Sequence, residues 1–178
     1  MTSFRIDPAS LTAIRRRLEE LGVDPDGVLN EAGAASGQML LSAWHDRVAG
    51  RGGPDDPGLV DQRWFGTLLA EVLVEMGWGR FVVDQPGGDG LVLIAQDALE
   101  AVPDTSPAPA CHFTAGALAA FLGGLADAPL GVLELECRSV GAPACHFLVG
   151  SPEMIAAAED LRAAGGDWRE LFASSLRH

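Results

Sequence analysis

Lysine and tyrosine are both absent from this chain of 178 residues, and cysteine occurs only three times. Without lysine, all positive charge rests on twelve arginines set against 25 carboxylates, a net of −13. Such a balance lacks the clustered cations that phosphate binding needs, which argues against nucleic acid as a direct partner. The one basic run, Arg15-Arg16-Arg17, is followed at once by Glu19 and Glu20 and reads as the solvated face of a helix. No apolar run approaches the roughly 20 residues that cross a bilayer. The stretch from Met1 to Pro8 lacks the apolar centre of a signal peptide, so a cytoplasmic location is expected. Three is an odd number of cysteines, which does not suit a secreted disulfide framework.

What the chain does contain is punctuated helix followed by paired strands. Asp7-Pro8 is a helix start, and Leu11, Ile14, Leu18 and Leu21 recur at helical spacing until Gly22. Two further short helices are expected over 25–35 and 38–49, and the Gly/Pro/Asp-rich stretch 50–58 is a loop. It divides the chain into an N-terminal helical extension, 1–57, and a main domain, 58–178. The segment 59–76 is amphipathic, with Trp64, Leu68, Leu69, Val72, Leu73 and Met76 on one side. Residues 80–84 and 91–95 read as a hairpin, and 132–140 with 144–149 as a second. Between them an apolar, glycine-rich helix follows Cys111, its glycines suited to close approach to the sheet. Helices at 154–164 and from Asp167 to Leu176 close the chain. Runs of helices and hairpins, rather than alternating β and α, give an α+β class with an antiparallel sheet of two hairpins packed against helices.

Four side chains stand out. Cys111 lies at a helix N-terminus, where the dipole favours a thiolate. Cys137 and Cys145 lie on the two arms of a hairpin and can face each other. Glu134 is three residues before Cys137, so in a regular strand the two point to opposite faces. A bulge at Leu135-Glu136 is needed to bring them together. Three thiolates and one carboxylate fill a tetrahedral zinc shell, the pattern of a closed structural site. Spacing alone leaves other readings open. The cysteines suit plain buried hydrophobes, Cys137 and Cys145 suit a cross-hairpin disulfide, and His112, His146 or Glu136 could stand in for Glu134.

The pattern Cys111-His112-Phe113-x-x-Gly116, Phe121, Glu134-x-x-Cys137, Gly141-x-x-x-Cys145-x-Phe147 resembles the 4-vinyl-reductase-type hydrocarbon-binding domain. That domain also forms the aromatic-sensing N-terminal part of bacterial phenol- and xylene-responsive activators, and its fold is related to the transport-particle (TRAPP) subunits. The likeness is specific over 108–150, looser from 59, and absent from the first 57 residues. It implies zinc on Cys111, Glu134, Cys137 and Cys145, a ligand pocket between sheet and helices, and a homodimer. One departure matters: the position after Gly116, often a bulky aromatic in the family, is Ala117. With no tyrosine in the chain, a phenol held by a tyrosine hydroxyl is not expected, and a roomier, drier pocket for a more apolar molecule is. Trp64, Phe65, Leu68, Leu91, Leu93, Phe113, Ala117 and Phe121 are the nominated pocket residues, with Trp44 and Trp78 as weaker candidates; core packing explains each singly as well.

The function implied is non-enzymatic binding of a small hydrophobic molecule, with output through a partner or dimer rearrangement. Reduction of a tetrapyrrole vinyl group is the alternative. The turn Gly87-Gly88-Asp89-Gly90 joins two strands and opens no helix, so it is no dinucleotide fingerprint. A ligand-free assembly protein is the third reading.

Overall fold

A computed structural model describes residues 7–54, 61–86 and 90–173 of the chain. The expected boundary at 57/58, the helix start at 59, the turn at 87–89 and the helix end at Leu176 lie outside the described residues.

Helix α1 (Pro8–Glu20) opens as its sequence dictates, the Asp7 carboxylate accepting from the Ala9 N–H. Helix α2 departs from expectation: Pro25–Gly50 is one helix of 26 residues, not two short ones. Ser36-Gly37 looks like a break, yet neither α2 glycine there adopts a positive φ. Gly33 and Gly37 are instead buried where α2 meets α4 (His112–Ala126). A Cβ on Gly33 would collide with the Phe113 carbonyl, and one on Gly116 with the Asn30 carbonyl. The α4 glycines therefore permit close approach of helix to helix, correcting the expected approach to the sheet; Gly124 likewise faces Leu41 of α2.

Helix α3 (Gln62–Glu75) follows, capped by Asp61. Strands β1 (Phe81–Asp84), β2 (Leu91–Ala95), β3 (Gly131–Glu136) and β4 (Cys145–Gly150) form one antiparallel sheet in the order β1-β2-β4-β3. Two hairpins thus lie edge to edge, as expected. Because side chains alternate, Leu93, Ala95, Phe147 and Val149 enter the large core with α2, α3 and α4. Val92 and Leu148 face the other way and meet α5 (Pro152–Ala163) and α6 (Glu170–Ala173) through Met154, Ala158, Trp168 and Phe172. Helices on both faces explain why Leu91-Val92-Leu93-Ile94 is apolar throughout. Among the described residues no helix is long and apolar enough to cross a membrane.

Candidate metal centre

Each of four elements brings one donor to a single buried point. Cys111 precedes α4, Glu134 is near the end of β3, Cys137 opens a 3₁₀ turn (Arg138–Val140), and Cys145 begins β4. The β3/β4 register pairs Glu134 with Phe147 and Glu136 with His146, so Leu135 is an extra residue in the strand. That irregularity, at the expected place, turns Glu134 and Cys137 toward the same point. Their ligand atoms and those of Cys111 and Cys145 all lie within 4.8 Å of one another, and all four residues are buried.

The sulfur–sulfur separations are 3.8 Å for Cys111–Cys137, 3.8 Å for Cys111–Cys145 and 4.0 Å for Cys137–Cys145. A disulfide requires about 2.05 Å, so all three are free thiols. For a tetrahedral ion with Zn–S near 2.3 Å, neighbouring sulfurs stand about 3.8 Å apart, which is this spacing. Glu134 Oε2 accepts the Cys111 N–H at 2.9 Å, while Oε1 is buried with no hydrogen-bond partner. An acceptor left bare beside three sulfurs fits a cation. The Ser139 N–H donates to Cys137 Sγ at 3.3 Å and the Arg138 N–H to Cys145 Sγ at 3.4 Å. Backbone N–H dipoles thus offset part of the negative charge on these sulfurs.

The protonation chemistry points the same way. Burial, then the neighbouring Cys137 charge, pushes Glu134 up to about 8. Hydrogen bonding to Cys137 and Cys145, with burial, drives the Cys111 thiol far up. Cys145 is lowered by its contact with Cys111, but its contact with Cys137 and burial outweigh this and raise it. Cys137 alone is held down, first by Cys111 and then by Cys145. The protein by itself tolerates little more than one negative charge here; four anionic ligands need a cation among them.

The rival ligands point elsewhere. His112 Nε2 sits 3.1 Å from the Pro109 carbonyl and 3.2 Å from Asp26. Glu136 takes the Trp168 indole N–H and Arg169, with His146 Nδ1 at 3.4 Å, tying α6 to the sheet.

Glu100 escaped the sequence reading. Its carboxylate accepts from the backbone N–H groups of Phe113 and Thr114 and from the Thr114 hydroxyl, capping α4 from a distant loop. Cys111 makes no side-chain capping bond of its own, so its sulfur stays available. Burial pushes Glu100 up to about 7 against those hydrogen bonds. Arg15 stands 3.9 Å away and also binds the Ala110 carbonyl. A lone acid in Ala98-Leu99-Glu100-Ala101-Val102 was the available signal.

The nominated pocket residues divide. Leu68, Leu93, Phe113, Ala117 and Phe121 are buried in the main core, with Trp64, Phe65 and Leu91 half-buried against it. Phe113 pairs with Trp78 at 5.5 Å, whereas Phe65 and Phe121 flank Trp44 at 5.2 and 6.0 Å. A separate open groove of about 430 Å³ runs past Pro8, Val74, Arg80, Asp97 and Arg138, and none of the eight nominees lines it.

Residues 93–151 match the family model of the vinyl-4-reductase (V-4-R) domain. The fold resembles the phenol-responsive sensory domain of the transcription activator PoxR, solved with phenol. The TM-score is 0.63 at 17% identity, over 86% of this chain and 77% of that one. A vinyl-4-reductase family protein from Methanocaldococcus jannaschii aligns at a TM-score of 0.38 and 22% identity, over 60% of this chain and 73% of its own. No curated protein matches the sequence. The four clustered donors all fall inside the matched segment, and the match is to the family that the cysteine and glycine pattern resembles.

Proposed function

We propose that this chain is a non-enzymatic receptor for a small hydrophobic molecule, built around a structural zinc held by Cys111, Glu134, Cys137 and Cys145. The observation that carries this is the buried cluster itself: three sulfurs at tetrahedral spacing and a bare carboxylate oxygen. Four protein ligands leave no position for water or substrate, so zinc serves as scaffold rather than Lewis acid. It joins the start of α4 to the β3/β4 hairpin, and so fixes the helix that carries Phe113, Ala117 and Phe121.

The fold shared with the phenol-responsive sensory domain supports a sensing role. With no tyrosine, the ligand is more apolar than a phenol gripped through a tyrosine hydroxyl. A homodimer belongs to the same reading; Ile14, Leu21, Val23 and Val28, exposed on α1, α2 and their connection, would be covered in it.

The test is native mass spectrometry with metal analysis on gently purified protein. One zinc per chain and additional mass of an apolar compound are expected. Well under one zinc per chain overturns the scaffold. NADPH oxidation with a vinyl-bearing tetrapyrrole, abolished by Phe121→Ala, would overturn the non-enzymatic assignment.

A further inference from the structure

Three buried polar side-chain atoms among the described residues make no hydrogen bond: Glu134 Oε1, His146 Nδ1 and Trp44 Nε1. The first belongs to the metal cluster, and the second has Glu136 beside it at 3.4 Å. Trp44 has neither explanation. It sits on α2, 1% exposed, with Phe65 of α3 at 5.2 Å and Phe121 of α4 at 6.0 Å. Neither neighbour carries an acceptor, and both rings are tilted to the indole, by 53° and 58°.

A buried indole N–H ordinarily finds a partner, because a desolvated donor left bare is costly. The donor therefore has a use that the protein alone does not satisfy. Of the two rings beside Trp44, that of Phe65 is half-buried and that of Phe121 fully buried.

We propose that the Trp44 indole N–H is the polar anchor of the ligand site, and that it selects an apolar ring molecule bearing a carbonyl or ether oxygen. This rests on the receptor reading above and sharpens it to a ligand class. A hydroxyl is a poorer match, since neither ring beside Trp44 offers an acceptor for its own proton. Aromatic walls favour a flat, ring-sized body, and the single donor favours a single acceptor.

The test uses the full-length, zinc-loaded protein and two probes of the same shape, 1-indanone and indane. Calorimetry gives both affinities for the wild type and Trp44→Phe, and ¹⁵N-edited spectra follow the indole N–H resonances, with that of Trp44 assigned by its loss in the variant. Indanone is expected to move the Trp44 N–H resonance downfield, while indane does not. The indanone-to-indane affinity ratio is expected to fall roughly three- to tenfold in Trp44→Phe, the worth of one neutral hydrogen bond. An unchanged ratio, or a Trp44 resonance that indanone leaves in place, overturns the anchor while leaving the receptor reading intact. An upfield-shifted resonance in the free protein overturns it too, because the N–H would then be spent on a ring face. If neither probe binds, the receptor reading falls and the anchor with it. If the variant fails to fold, through-bond spectra of the wild type assign the Trp44 N–H instead, and its response to indanone decides the question.

Discussion

Replacing Glu134 by glutamine changes stability in opposite directions with and without a metal, which makes it the most informative single substitution. In the metal-free chain the ionised carboxylate is unwelcome: burial and the Cys137 charge raise it from 4.5 to about 8. That difference corresponds to on the order of 5 kcal/mol against the charged form at alkaline pH. Glutamine still offers an oxygen to the Cys111 N–H and removes the charge, so the metal-free protein should be unharmed or stabilised. With zinc bound, the same carboxylate is a ligand and part of the charge balance. Its loss should then cost about 3–5 kcal/mol, the scale for stripping one partner from a buried charge pair. For a chain of this size each kcal/mol moves the melting temperature by about 2–4 °C, so a fall of about 10 °C is expected. Thermal melts by circular dichroism, on zinc-loaded and chelator-treated samples of both proteins, read the two signs directly. A zinc-loaded Glu134→Gln protein that melts with the wild type or above it would show that this oxygen is no ligand.

Two further outcomes follow from the helix contacts and the buried cap. Gly33→Ala places a Cβ against the Phe113 carbonyl, where backbone must shift, and should cost about 1–3 kcal/mol; Gly50→Ala meets nothing within 4 Å and should be neutral or stabilising by about 0.5–1 kcal/mol, so equal denaturant midpoints for the two variants would refute the helix contact. Glu100, raised from 4.5 to about 7, keeps its proton in the folded state where the unfolded chain has released it. Folding therefore takes up a proton across that window, and stability falls as pH rises through it, by on the order of 3 kcal/mol. Glu100→Gln should flatten this slope between about pH 4.5 and 7, and denaturant titrations that give parallel pH profiles for the two proteins would remove Glu100 as its source.

The sequence made the metal cluster legible and the helix contacts obscure, for a physical reason. Spacing alone left several ligand sets open and the family resemblance named the four donors; what the Glu-x-x-Cys spacing did require was a bulge, and the extra residue falls at Leu135. The capped start at Asp7 was readable because its oxygen satisfies an N–H within its own turn. Gly33, Gly37 and Gly116 were not. A glycine absent a Cβ signals a turn, a break or a close contact alike, and only the partner helix decides which. For the same reason 25–50 was expected as two helices and is one. Glu100 shows the complementary blindness: its partners are thirteen and fourteen residues away, beyond any local pattern.

Those contacts bear on how a bound molecule would be reported. Helix α4 is anchored at its start by Cys111, by the Glu100 cap and by Arg15, which reaches from α1 to the Ala110 carbonyl. Farther along, Phe121 and the α2 residue Trp44 face each other across the glycine-lined contact. A molecule entering beside Trp44 cannot move α4 at its anchored end. The element left to yield would then be α2 against the later turns of α4, with the Arg15–Asp26 ion pair as its link to α1. Zinc held by the four donors would do no chemistry on the ligand; it would hold the start of one helix so that its neighbour could carry the signal.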